Sequence, residues 1–226
     1  MVWLQGLAGP RMEAKEIQIK TLFLCLAAVL AVELGTRVVT STPIYHPMLI
    51  LGEARLLQIL LIILIVSTGG KGLSSIGLAR SEMVSGLKKG LILSAGFVVV
   101  TFLASVGLLA AGINPLTLIR TNLPTNPREI TIFFVIGGLV GPIAEEVFFR
   151  GVLYGFLRRW GVTVALVLST LIFVLSHAIV HGVPITQAVG GILFALAYEV
   201  EGCLIVPITI HCLGNLAIFT LSLIYT

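Results

Sequence analysis

The chain has 226 residues, of which 58% are hydrophobic and 11% charged, where a soluble domain carries about a quarter charged residues. So little polar material cannot cover a water-exposed globule of this size, which excludes a soluble enzyme and makes the lipid bilayer the first partner. The formal net charge of +4 is scattered over connectors and no basic run carries interleaved aromatics, so no nucleic-acid partner is expected.

Glu13 and Glu16 among Arg11, Lys15 and Lys20 argue against a cleavable signal, and the apolar run from about Thr21 to Thr40 is the first expected span. It carries Glu33 and Arg37 four apart on one face, an arrangement that suits the membrane surface or neutralises itself. Ser41 to Pro47 is rich in turn residues, with His46 as a loop residue beside Pro47. The second span runs from about Met48 to Ser67. Its Glu53 and Arg55 are two apart and cannot face each other, so they sit at the interface or one reaches into the bundle. Leu73 to Lys89 reads either as a short amphipathic piece on the membrane, with Arg80, Lys88 and Lys89 offered to lipid phosphates, or as an ordinary basic loop.

The third span covers about Gly90 to Gly112, and a polar connector with Pro115, Pro124 and Pro127 leads to the fourth, about Ile130 to Leu157. Gly137 and Gly141 in the fourth have the small-xxx-small spacing that admits a neighbouring backbone, and Pro142 can free a carbonyl near the charges that follow it. Spans five, six and seven are expected at about Val162–Val180, Ile185–Tyr198 and Cys203–Tyr225, the sixth being short for a bilayer. Cys25, Cys203 and Cys212, an odd count in apolar surroundings, read as packing residues.

The expected fold is therefore all-α: a polytopic membrane helix bundle of about seven transmembrane helices, or eight if one is hidden in a connector. It forms a single membrane-embedded domain over residues 1–226, with a motif-bearing core at about 130–226. With seven spans, nine basic residues (Arg11, Lys15, Lys20, Lys71, Arg80, Lys88, Lys89, Arg158, Arg159) fall on the side of the N-terminus and three (Arg37, Arg120, Arg128) on the other. The positive-inside bias then places the N-terminus in the cytoplasm.

Three apolar segments carry side chains that a bilayer tolerates only at a cost, about 2.5–3.5 kcal/mol per charge even on the lenient insertion scale. In the fourth span, Glu146 and Arg150 are four apart and can pair along one face, which leaves Glu145 about a quarter-turn away without a partner. His177 ends the fifth span, and His211 and Asn215 share a face of the seventh. A carboxylate, two imidazoles and an amide are the parts of a hydrolytic centre: a base for water, a proton relay, and donors for an oxyanion. Glu145, His177 and His211 are also ligand types that zinc accepts, although no His-Glu-x-x-His spacing compels a metal. A centre requiring no cofactor is the first expectation and zinc the alternative. His181, one turn beyond His177, is read as a bland helix-end residue.

Glu145-Glu146-x-x-x-Arg150, Phe173-x-x-x-His177 and His211-x-x-x-Asn215, in that order on separate spans, resemble the three motifs of the CAAX-protease and bacteriocin-processing (CPBP, or Abi) intramembrane endopeptidases, which include the type II CAAX prenyl endopeptidases. The resemblance covers about Gly137 to Leu216. It implies an intramembrane protease in which Glu145 and His177 activate water and His211 with Asn215 forms the oxyanion hole. Glu146 and Arg150 would shape the site, with Arg150 as a candidate to meet a substrate carboxylate. The implied partner is a membrane-associated peptide or protein, with a C-terminal tail as one form of it. Two other classes compete: a proton-coupled transporter, which would show related halves with broken helices, and a catalytically inactive membrane scaffold.

Overall fold

A computed structural model of the chain describes residues 17–41, 46–69, 72–177 and 185–225. These residues are helical and contain no strand. Seven long helices follow one another: α1 (Ile19–Thr40), α2 (Pro47–Thr68), α3 (Met83–Ala110), α4 (Pro127–Trp160), α5 (Val162–His177), α6 (Ile185–Glu201) and α7 (Ile205–Ile224). Five of them, α1 to α4 and α7, are long and apolar enough to cross a membrane, whereas α5 has 16 residues and α6 has 17. Lys20, at the start of α1, is among the described residues; the other N-terminal charges and His181 lie outside them.

The bundle is built around α4. Helix α1 packs on α2, α3 on α7, and α5 and α7 on α6, while α4 touches α2, α5, α6 and α7. Its side chains from Val147 to Leu157 are buried without a break, which no other helix matches, and this is why charges could be placed there out of reach of lipid. The outer surface is the reverse: α3 turns Ile92, Val98, Val99, Val100, Phe102 and Leu103 outward, an apolar coat suited to acyl chains.

Three local features differ from the sequence-based expectation. Leu73 to Glu82 forms two 3-10 turns, not a surface helix, and α3 starts at Met83. Ile76 is fully buried here, and Gly77, at φ 74°, offers its carbonyl to the Leu204 N–H at 2.9 Å. A β-carbon at Gly77 would lie 2.8 Å from the Gly202 carbonyl oxygen, so the left-handed turn and the close approach both require glycine. Glu33, expected either at the membrane surface or balanced by Arg37, accepts hydrogen bonds from Arg55 and Gln58 of α2, fastening α1 to α2. An inter-helix partner satisfies both groups where lipid cannot.

The small-residue seam on α4 is Gly137 and Gly138. Gly138 lies against Leu216 and Gly137 against the Phe219 ring, so α7 is the helix that approaches, while Gly141 meets only its own helix at the Ile136 carbonyl.

Candidate active site

Helix α4 is not a uniform α-helix. Residues Ile136–Val140 and Val147–Tyr154 adopt wide, π-type turns, with Gly141–Glu146 as an α-helical stretch between them. Such turns are rare and concentrate at functional sites. In the first, the Gly141 N–H bonds the Ile136 carbonyl, five residues back. The next bond in that register would run from residue 142 to the Gly137 carbonyl, but Pro142 has no N–H to give. The Asn215 amide of α7 donates to that carbonyl instead, at 2.9 Å. Pro142 thus frees a carbonyl, and the freed carbonyl fixes Asn215 while leaving its second amide proton without an acceptor among the described residues.

The two adjacent carboxylates have opposite surroundings. Glu146 is completely buried, and its Oε1 accepts from Arg150 Nη1 at 2.9 Å and from His211 Nδ1 at 2.8 Å. Arg150 also donates from Nη2 to the Gly191 carbonyl at 3.1 Å, and its guanidinium lies over Phe173 and Phe194, 4.6 and 5.3 Å from the ring centroids. With 1% of its side chain exposed, Arg150 cannot meet a substrate carboxylate. It neutralises Glu146 and braces α4 against α6, which corrects the role suggested by the resemblance.

Glu145 keeps about a fifth of its side chain exposed and faces both imidazoles. One carboxylate oxygen is 3.6 Å from His177 Nε2 and the other 3.8 Å from His211 Nε2. Both distances exceed a direct hydrogen bond, so the three groups line a gap and do not close on one another.

Each imidazole is held from behind. His177 Nδ1 is 2.8 Å from the Phe173 carbonyl, which can only accept, so Nδ1 donates. His211 Nδ1 likewise donates to the Glu146 carboxylate. Neutral rings in this arrangement turn Nε2 lone pairs towards Glu145. His211 is further fixed by Phe194, stacked on it at 4.4 Å between centroids, and Phe173 lies 4.6 Å from the His177 ring.

Two imidazole Nε2 atoms and a carboxylate are donor types that zinc accepts, and histidines anchored through Nδ1 are typical of metal ligands. Among the described residues, however, no group of three or more His, Cys, Asp or Glu side chains is arranged to hold a metal ion. The donor types suit zinc, with Glu145, His177 and His211 as the residues that would hold it, and no step below runs through a metal.

Residues 127–217 match the family model described as type II CAAX prenyl endopeptidase Rce1-like. The membrane-embedded CAAX protease MroQ of Staphylococcus aureus (strain USA300) is 37% identical over 95 residues. Over these residues the chain is similar to CAAX-type membrane proteases. The aligned stretch covers 39% of this chain and 38% of MroQ. No solved structure matches the chain.

Of the residues singled out in the sequence, α4, α5 and α7 bring Glu145, Glu146, His177 and His211 together, with Arg150 paired to Glu146 and Asn215 bound to the Gly137 carbonyl. Their supporting residues were harder to read. Phe173 was signalled by its four-residue spacing from His177, but Phe194, the Gly191 carbonyl and the Gly137 carbonyl come from packing that no local spacing encodes.

Proposed function

We propose that this protein is an intramembrane endopeptidase of the CPBP type that hydrolyses a peptide bond of a membrane-associated peptide or protein. The observation that carries the reading is the gap between Glu145, His177 and His211: a partly exposed carboxylate faced by two imidazole nitrogens at 3.6 and 3.8 Å, each ring anchored through its other nitrogen.

In the proposed reaction one water occupies that gap. Glu145 takes a proton from the water as its oxygen attacks the scissile carbonyl carbon, and His177 Nε2 orients the water by accepting its second hydrogen. The carbonyl oxygen becomes an oxyanion, which the free Asn215 amide proton can meet. His211 can donate to it from Nε2 only as an imidazolium, whose charge the Glu146 carboxylate at Nδ1 balances. Collapse of the tetrahedral intermediate breaks the C–N bond, and Glu145 returns its proton to the leaving amine. The products are a carboxylic acid and an amine, which become a carboxylate and an ammonium by passing the remaining proton between them through water, and the site is regenerated. Arg150 takes no part in the chemistry; it holds the Glu146 carboxylate in place.

On the positive-inside count the N-terminus is cytoplasmic, and a C-terminal tail of a membrane protein is the substrate form that best suits a site reached from the membrane. The test is cleavage of candidate membrane peptides by the purified protein, with and without a chelator. Cleavage that survives chelation supports the metal-free route. Loss with chelator and recovery with zinc would replace that route, and absence of cleavage across substrates of the CPBP type would remove the protease reading.

A further inference from the structure

Helices α4 and α5 bury a group of polar atoms that the side chains around them leave unpaired. Among the described residues, five buried side-chain nitrogen or oxygen atoms have no hydrogen-bond partner, and four of them lie on these two helices: Glu146 Oε2, Arg150 Nε, Ser169 Oγ and Thr170 Oγ1. Such atoms are rare in folded proteins, and an internal water is a common reason for an exception.

The two hydroxyls depart from the habit of the rest of the chain. A serine or threonine inside a helix can turn its hydroxyl back to a carbonyl of the preceding turn, and Ser94, Thr101, Thr131, Thr209 and Thr220 all do so at 2.7–3.0 Å. Ser176, on α5 itself, bonds the Phe173 carbonyl at 2.7 Å. Thr170 and Ser169, 9% and 2% exposed, make no such bond.

Thr170 and Arg150 meet at Gly191 of α6. The Gly191 carbonyl accepts from Arg150 Nη2 at 3.1 Å, and a β-carbon on Gly191 would lie 2.9 Å from the Thr170 methyl and 3.3 Å from the Phe173 ring. The Phe173 ring in turn faces the guanidinium, with 4.6 Å between its centroid and Arg150 Cζ. Nε–H and one Nη2–H leave a guanidinium along the same edge of its fixed fork. The unpaired Nε therefore faces the side on which Gly191 and Thr170 stand.

The chemistry of this junction narrows what can occupy it. Glu146 already balances the Arg150 charge, so a second anion would be left in excess. The closeness of Gly191 to Thr170 admits only a small group. A small neutral molecule that accepts from Nε and exchanges a hydrogen bond with a hydroxyl satisfies both atoms, and water is that molecule.

We propose that an internal water is bound between Arg150 Nε and the Thr170 hydroxyl, which supply the two partners a buried water needs at least. It is distinct from the water that Glu145 would activate and takes no part in the reaction. It ties α5 to the Glu146–Arg150 pair, and it stands whether or not the protein is a protease.

The direct test is a map of the purified protein at a resolution that shows ordered waters. A peak within about 3.2 Å of both Arg150 Nε and Thr170 Oγ1 is expected. A Thr170 hydroxyl bonded to the Leu166 carbonyl, with no peak at Nε, would overturn the site. Thermal unfolding in detergent tests it again by its sign. Thr170→Val keeps the side chain's shape and removes the hydroxyl, and its melting temperature should fall by about 2–4 °C, the shift that one lost hydrogen bond gives in a chain of this size. In the Glu146→Gln, Arg150→Met background, which has no Nε to serve, the same substitution should leave the melting temperature unchanged or raise it. A Thr170→Val protein as stable as wild type or more so, or an equal fall in both backgrounds, would overturn the proposal. Should a variant fail to fold, the wild-type map alone decides.

Discussion

Glu146→Gln separates the electrostatic frame of the site from its chemistry. The amide matches the carboxylate in shape but removes the charge facing Arg150, whose side chain is 1% exposed and cannot turn to water. Breaking a buried pair from one side typically costs about 3–5 kcal/mol, because a charge is left uncompensated. The Gly191 carbonyl and the two flanking phenyl rings offset part of this, so a loss at the lower end of that range is expected. Replacing both partners, Glu146→Gln with Arg150→Met, removes the stranded charge and should recover most of the stability. Activity should stay low in both variants, because an amide cannot balance an imidazolium at His211. Thermal unfolding in detergent, paired with peptide cleavage, reads the two effects separately. A single variant as stable as wild type, or a double variant with wild-type cleavage, would refute the reasoning.

Three further outcomes follow from the same structure. Asn215→Ala should lower kcat by roughly 10²–10³, the loss of about 2.7–4 kcal/mol typical of one oxyanion donor, with a smaller fall in melting temperature from the orphaned Gly137 carbonyl; a kcat within tenfold of wild type would count against Asn215 as a donor. Gly77→Ala should destabilise the protein by about 1–3 kcal/mol, since it forces a positive φ on a residue whose β-carbon would meet the Gly202 carbonyl; unchanged thermal stability would contradict the packing of that turn. A cysteine introduced at Gln5 should react with an impermeant maleimide only after cells are permeabilised, and the three native cysteines, all buried, give little background; labelling in intact cells would reverse the orientation.

Much of this architecture was legible because a bilayer makes the rules severe. Long apolar runs could only be helices, and the four-residue spacings Glu146–Arg150 and His211–Asn215 fixed which side chains share a face. The prediction that Pro142 frees a carbonyl needed only the missing N–H. What the sequence hid was set between helices. Glu33 has two cations within reach on paper, Arg37 along its own helix and Arg55 on the next, and packing decides for Arg55. The turns around Ile76 look like a basic surface loop because their burial depends on Gly151 and Leu204, far along the chain. The resemblance offers Arg150 as a shaper of the site and a candidate to meet substrate, whereas the rings of Phe173 and Phe194 and the Gly191 carbonyl enclose it.

The account stands on Glu145 and His177 acting upon one water, and a double-variant cycle measures this directly. Cleavage rates are compared for wild type, Glu145→Gln, His177→Ala and the double variant, all confirmed as folded by thermal unfolding. Groups that work as a unit are non-additive, so each single change should cost roughly 10²–10⁴ and the double variant no more than the worse single one. Losses that multiply, or a Glu145→Gln protein that still cleaves at the wild-type rate, would contradict it.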